Sequence, residues 1–266
     1  MLDKIVESCR FLLKDFPEAQ ACRDYIDSRI SQESQELFQF GWFPDNNNLP
    51  VLLDLVSDSD LEIGQNKRLI WSSTIEDAMG VRSILKSYFK DNPLIFPYRN
   101  AYGKVVALVG RSVLSDKDRD KENENRVEEK KITKYKNTPE SAKFKKGNLL
   151  FGLYENKQHI LDQNCVYIVE GQFDVIKAVE KGLRNIIALG TSSMTPYQFS
   201  VISRYTNNII LLLDNDEAGE RGRKSIISKF GKYANIQNFY LPESYKDIDE
   251  YLTHNGTESM SFIVKA

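Results

Sequence analysis

The sequence is poor in the side chains that build sulfur and imidazole metal sites. Its three cysteines, Cys9, Cys22 and Cys165, form no Cys-x-x-Cys pair. That excludes a disulfide scaffold and a self-contained zinc ribbon, so no zinc site is expected in this chain. Only two histidines, His159 and His254, are present; they are expected to be structural or exposed rather than ligands. No apolar run approaches the roughly 20 residues of a membrane span, and the acid-containing, amphipathic N-terminus does not read as a secretion signal. No membrane partner is expected, and the location is expected to be a reducing cytoplasm. Neither charge sign is in excess: 36 Lys and Arg against 38 Asp and Glu leave a net −2. The chain as a whole is therefore not a basic nucleic-acid binder, and any polyanion must be met by a local patch. No internal repeat marks a solenoid.

What is present suffices for a real core. With 266 residues, 41% of them hydrophobic, one large or two modest domains are expected. Residues 1–44 read as short amphipathic helices, with Ile5, Cys9, Leu12 and Leu13 at helical spacing, until Gly41 and Pro44. Cys9 and Cys22 are expected to be buried on these helices. Residues 45–160 are mixed, with strand-like runs at 51–56 and 105–110 and a strand–turn–strand signal over 95–110, where Asn100 to Gly103 supply the turn. The stretch 115–131 mixes both charge signs with almost no apolar residues and reads as a solvated, mobile loop. From 165 onward, apolar strand-like runs (165–170, 185–190, 207–214 and a weaker 236–241) alternate with helical patterns near 173–182, from Pro196, at 217–230 and at 248–253. Strands buried on both faces with helical crossovers mean a parallel α/β sheet. The expected organisation is a mixed α+β N-terminal subdomain over 1–160, an α/β domain over 161–256 with a mostly parallel sheet flanked by helices, and a tail at 257–266.

Ligands of such sheets bind outside the carboxyl ends of the strands, and acidic clusters fall there. Glu170 closes the first strand in 170-EGQFD-174, Asp214 and Asp216 follow the third in 214-DNDEAG-219, and Asp247 and Asp249 follow the last. A single acid in such a place is ordinarily a helix N-cap or a solvated turn. Several converging on one edge repel one another unless a hard cation neutralises them, and oxygen-only donors suit Mg²⁺ or Mn²⁺. Gly171 and Gly219 allow tight turns beside these acids. A second cluster is basic: Lys134, Lys136, Lys143, Lys145 and Lys146, interleaved with Tyr135 and Phe144, suit a phosphate-tracking groove with stacking platforms. Asn-Thr-Pro-Glu inside that run is more than a solvated lysine face requires.

The order Glu-Gly-x-x-Asp, a Gly190–Thr191 turn, then Asp-x-Asp-x-Ala-Gly resembles the Toprim domain of topoisomerases, primases and some nucleases. Three upstream segments, 24-DYIDSRISQESQELFQFGWFP-44, 96-FPYRNAYGKVVALVGRSV-113 and 134-KYKNTPESAKFKKGNLLFGLYE-155, are similar to the catalytic core of DnaG-type primases. The likeness runs from about residue 22 to 254. In 24–44, Ile30 replaces a Gly-Leu pairing and Trp42-Phe43 a Tyr-Ala.

The resemblance implies an RNA-polymerising core that makes short RNA primers on single-stranded DNA from NTPs, using two or more divalent ions. It implies that Glu170, Asp214 and Asp216 are catalytic; that Glu170, Asp214 and Asp216, with Asp247 or Asp249 or both, hold metal; and that Arg99, Arg111, Lys134, Asn137 and Lys146 touch template or nucleotide phosphates. Lys136, Lys143 and Lys145 are left as surface lysines. Asp174, with Gly171, Gly190, Thr191 and Gly219, is expected to support the site. A replicative helicase and a separate zinc-binding protein are the expected partners. Two explanations are open for the source, an excised catalytic core or a compact primase of a phage or mobile element; the charged segment 115–131 and the divergent N-terminal half favour the second, hence a host cytoplasm. The competing readings are a Toprim nuclease or repair protein, which has no use for 134-KYKNTPE-140, and a non-catalytic single-strand-binding accessory, which has no use for the acids.

Overall fold

The computed structural model describes residues 2–57, 68–77, 80–140 and 144–255. They fall into two compact units, one of residues 1–98 and 105–140, the other of 99–104 and 141–266. Helix Leu153–Gln163 thus groups with the second unit. No helix among the described residues is long and apolar enough to cross a membrane.

In the first unit, α1 (Leu2–Asp15) buries Leu2, Ile5, Val6, Cys9, Leu12 and Leu13 along one face, the stripe its spacing predicts. Pro17 restarts the chain after α1, and α2 (Gln20–Asp27) buries Cys22 and Ile26. Ser31 caps α3 (Gln32–Leu37), its side chain accepting from the Ser34 N–H. Next come β1 (Gly41–Trp42), α4 (Leu49–Leu53), the antiparallel pair β2 (Ile70–Asp77) and β3 (Gly80–Ser87), and then β4 (Leu94–Arg99) and β5 (Val105–Arg111). Following α5 (Asp116–Asn123), β6 (Tyr135–Asn137) completes a sheet of order β1-β4-β5-β6. Its core is aromatic: Phe40 meets Phe96 at 5.1 Å and Phe43 meets Phe89 at 5.4 Å between ring centroids.

Two sequence expectations are corrected here. The run 51–56 is not a strand; its first residues end α4, where Pro50 occupies the first turn and Leu49 and Leu52 turn to one buried side. The segment 115–131 is not a featureless loop either. Ser115 caps α5, accepting from Asp118 N at 3.1 Å. Asp116 and Asp118 lie in its first turn, where the helix dipole favours negative charge. Asn123 then ties the segment down by bonding both the N–H and the carbonyl of Ile132. No α5 residue is buried, so the solvated part of the expectation stands.

The second unit contains the parallel sheet. After α6 (Leu153–Gln163) the chain runs β7 (Val166–Val169), α7 (Gln172–Glu180), β8 (Ile186–Ala188), α8 (Pro196–Ile202), β9 (Asn208–Leu211), α9 (Glu217–Phe230), β10 (Asn235–Asn238) and α10 (Ile248–Asn255). The strand order is β10-β9-β7-β8, every pair parallel. Ile168 and Val166 from β7, Ile187 from β8, and Ile209 and Leu211 from β9 form a common core with Ile202, Ile226 and Phe230 of the helices. The chain leaves β7 for β8 on one side and returns to β9 on the other. The resulting crevice opens at the carboxyl ends of β7 and β9, the position where open α/β sheets bind ligands.

Candidate active site

Glu170 follows β7 directly and Asp214 lies three residues beyond β9, so the two acids flank that crevice. The sheet pairing continues past the strands and fixes both. Leu212 N donates to Ile168 O at 2.8 Å, and Gly190 N to Glu170 O at 3.0 Å. Glu170 Oε1 accepts from the Asp214 N–H at 3.3 Å. Gly190 has φ +77°, a left-handed turn that glycine adopts without strain. Thr191 Oγ1 closes the same turn onto the Ser193 carbonyl at 3.0 Å.

The remaining acids sit at helix N-termini. Asp216 caps α9, with Oδ1 accepting from Gly219 N at 2.9 Å. Asp247 accepts from Glu250 N at 2.8 Å at the start of α10, and Asp249 lies in that helix's first turn. Asp174 is buried in the first turn of α7 and accepts from Gly171 N at 2.9 Å. A cap occupies one oxygen of a carboxylate that has two.

Electrostatics show that these acids share one region. Burial, then the charges of Glu170 and Asp247, push Asp214 up to about 7. Asp174 is pushed up to about 8, by burial first and then by Asp247 and Asp214. Burial also raises Glu170, with Asp216 adding to the rise and the Asp214 N–H, Arg223 and Lys246 opposing it. Among the described residues no three His, Cys, Asp or Glu side chains already form a finished ion cage. The donor set nevertheless fits a hard divalent cation: it is all oxygen and drawn from three loops, and Glu170 and Asp214 stay raised although Lys246 opposes the rise of both. Glu170, Asp214 and Asp216 would hold such an ion, with Asp247 and Asp249 beside them.

Two residues that the sequence patterns do not single out shape this region. Asn215 binds the loop carrying Asp247: its N–H donates to Lys246 O at 2.7 Å, and its side-chain amide reaches Leu241 O and Tyr245 O at 3.0 Å each. Arg223 lies beneath Asp214, donating to the Asp214 carbonyl at 3.1 Å. Asn215 sits in the middle of Asp-x-Asp, which is its only sequence signal.

The expected phosphate-contacting residues divide between the units. In the first, Lys134 is exposed at the start of β6. Pairing of β5 with β6 sets Tyr135 opposite Arg111 and Asn137 opposite Val109. Arg111 is 5% exposed, its guanidinium 4.7 Å from the Tyr135 ring centroid and 5.1 Å from that of Tyr25, whose hydroxyl accepts from Nε. That burial places it within the framework of the sheet. Asn137 Oδ1 is buried with no hydrogen-bond partner among the described residues, while Tyr88 donates to the Asn137 carbonyl at 3.0 Å. Lys136 is not an idle surface lysine, since Nζ donates to Tyr88 O at 2.8 Å and lies over the Tyr88 ring.

In the second unit, Arg99 forms a buried ion pair with Glu155 at 3.2 Å and lies over the Tyr154 ring. Lys146 is half-exposed and opens a short turn through Asn148, braced where Thr195 donates to Gly147 O at 2.8 Å. Lys145 is exposed, and Lys143 lies outside the described residues. Phe144 is 2% exposed and so offers no stacking platform; the alternation of lysines with aromatics over-reads the segment there. Cys9 and Cys22 are buried, with thiols raised well out of the reactive range by burial, and Cys165 is half-buried.

Comparisons with known proteins likewise find two regions, the first running on to residue 157, past the boundary between the compact units. A family model described as the DNA primase catalytic core, N-terminal domain, matches residues 11–157, and a Toprim-like model matches 167–252. A DNA primase of Aquifex aeolicus is 27% identical over 100% of this chain and 48% of its own length, and one of Pseudomonas putida is 29% identical over 97% and 36%. The chain thus spans about half or less of the curated relatives it matches. The crystal structure of the zinc-binding and RNA polymerase domains of the Aquifex aeolicus primase superposes with a TM-score of 0.79 at 29% identity, covering 99% of this chain and 59% of that one. A primase domain from Pseudomonas aeruginosa gives 0.75 at 26% identity, covering 99% and 77%. With one family model covering the first half and more of the chain, and a Toprim-like parallel sheet following it, this chain belongs to the DnaG-type primase catalytic-core family.

Proposed function

We propose that this chain is the nucleotidyl-transferring core of a DNA primase, joining ribonucleoside triphosphates into short RNA primers on a single-stranded DNA template. The observation that carries the reading is the gathering of Glu170, Asp214, Asp216 and Asp247 at the switch point of the parallel sheet, in a chain that also carries the basic segment 134–146. In each step the primer 3′-oxygen forms a bond to the α-phosphorus of the incoming nucleotide. The bond from that phosphorus to pyrophosphate breaks, and the hydroxyl proton passes to Glu170 or to water. Two or more bound Mg²⁺ or Mn²⁺ ions supply polarisation of the hydroxyl and neutralisation of the leaving pyrophosphate. Glu170 stands at the hydroxyl side; Asp214 and Asp216, with Asp247 or Asp249 or both, serve the triphosphate. Asp174 orients the Gly171 turn from its capping position.

Lys134, Lys146 and Asn137 are assigned to template or nucleotide phosphates. Arg111 in the first unit and Arg99 in the second act from within the framework of their own units, as their burial supports. Helicase and zinc-module functions are assigned to separate domains or proteins; the similarity of this chain to part of a longer Aquifex aeolicus primase that includes zinc-binding domains supports this. The departures at Ile30 and Trp42-Phe43 and the charged segment 115–131 support a phage or mobile-element source.

The test incubates the chain with single-stranded DNA, labelled NTPs and Mg²⁺ or Mn²⁺. New oligoribonucleotides, lost in chelator and in Glu170→Gln or Asp214→Ala with folding intact, are the expected result. Shortened DNA instead makes the chain a nuclease. Full activity in either variant overturns the assignment.

A further inference from the structure

Helix α9 meets the acidic loop through Gly219, Gly222 and Arg223, which share one face at helical spacing. A Cβ on Gly219 would stand 2.1 Å from the Asp214 carbonyl oxygen, and one on Gly222 would stand 2.3 Å from the Ser192 carbonyl oxygen. The helix backbone therefore lies directly against both the Asp-x-Asp loop and the turn after β8. Arg223 occupies the depth of this contact, 1% exposed and among the largest fully buried side chains. Nη1 donates to Asp214 O at 3.1 Å and Nη2 donates to Leu213 O. The guanidinium carbon lies 4.6 Å from the Tyr240 ring centroid. Nε is buried with no hydrogen-bond partner among the described residues.

A guanidinium buried against carbonyls, without a carboxylate on its fork, is a costly choice for stability alone. An apolar side chain would fill the space, but it would leave the two carbonyls without their donors. We propose that Arg223 is a positioning residue for cation binding. Its planar fork fixes the carbonyls of Leu213 and Asp214, and so holds the Asp214 carboxylate beside Glu170 in the loop conformation that accepts a divalent ion. The proposal rests on the cation-binding reading of the acids above. Arginine is required because its fork spans two carbonyls at once, which the single ammonium of lysine does less rigidly.

Arg223→Lys is the discriminating variant: the charge stays, so its long-range repulsion of a cation is held constant, and only the fork is lost. Titration of the full chain with Mn²⁺ alone, followed by the electron paramagnetic resonance of free Mn²⁺, should show binding about tenfold weaker than wild type, the usual cost of losing a support to a metal ligand. Primer synthesis by the variant should be recovered as Mn²⁺ is raised, with kcat at saturating Mn²⁺ near wild type. Wild-type Mn²⁺ affinity in Arg223→Lys overturns the proposal. If that variant does not fold, Tyr240→Leu decides: it removes the ring over the guanidinium and leaves both carbonyl bonds. Mn²⁺ binding about two- to threefold weaker, within the range of a lost cation–π contact, supports the proposal, and unchanged binding overturns it. Wild-type chain that binds no Mn²⁺ at all overturns the cation reading of the acids themselves, a result distinct from failure of the Arg223 assignment.

Discussion

Asp214→Asn should stabilise the metal-free protein while abolishing its activity. Asp214 has its carboxyl pushed up to about 7, chiefly by burial and then by Glu170 and Asp247. Its folded-state pKa exceeds the unfolded value, so its contribution to stability is fully present below about pH 4 and is lost as the pH rises through about 7. The rise is about three units, worth roughly 4 kcal/mol at about 1.4 kcal/mol per unit. Because the group is only half-buried, solvent screening reduces this to about 1–2 kcal/mol. Asparagine keeps the shape and cannot ionise, and the main-chain N–H that Glu170 accepts from is untouched. At pH 8 in chelator the variant should melt about 2–8 °C above wild type, using roughly 2–4 °C per kcal/mol for a chain of this size. At pH 5, where the wild-type carboxyl is itself neutral, the two should melt together. Mg²⁺ should raise the wild-type melting temperature at pH 8 and leave the variant nearly unmoved, because ion binding stabilises only the state that binds. Differential scanning fluorimetry at both pH values checks all of this. A variant that melts at or below wild type at pH 8 refutes the account of mutual repulsion.

Arg99→Met should destabilise the second unit by about 3–5 kcal/mol, because Glu155 is left buried without its partner, and the double variant Arg99→Met/Glu155→Met should recover most of the loss; urea titration measures both. Gly219→Ala sets a methyl against the Asp214 carbonyl, where the contact would be 2.1 Å, and should cost about 1–3 kcal/mol together with primer synthesis, read by melting and by gel assay.

Much of this architecture is legible in the chain, because the signals are local and mutually reinforcing. The runs at 165–170, 185–190 and 207–214 are apolar on both faces, and each is followed by a capped helical pattern; β7, β8 and β9 fall inside them. The acids are legible for the same reason, since a parallel sheet puts the end of each strand next to the start of the following helix. What the patterns miss depends on distant partners or on ambiguous periods. The run 51–56 is apolar enough for a strand, and only Pro50 at the first turn and the flanking Asn48 argue for the helix that forms. Helix α5 has no apolar stripe, so its one signal was the Ser115–Asp118 cap. Arg99 looks like a phosphate contact until Glu155, 56 positions later, is folded against it. Arg111 likewise reads as a surface cation until Tyr25 and Tyr135 enclose it. Arg223 sits in an ordinary amphipathic helix, and nothing local distinguishes it from the exposed Arg221 two residues earlier.

The bland and the functional interpretations of the acids prove to be compatible. Asp174, Asp216 and Asp247 all accept main-chain N–H bonds in the first turns of α7, α9 and α10, as ordinary capping acids do. A helix N-terminus carries a partial positive charge worth about 0.3–1 kcal/mol to a nearby anion. Three such termini therefore offset part of the repulsion that would otherwise scatter the carboxylates in the absence of a cation. The offset is incomplete, because Asp174 and Asp214 remain displaced to about 8 and about 7. On the proposed reading such a site is assembled by capping and discharged by an ion, with Asp216 and Asp247 each giving one oxygen to the fold and retaining the other for chemistry. Replacing Asp216 by asparagine separates the two duties: the cap should survive, because asparagine caps as well as aspartate, while the charge needed to hold a cation is lost.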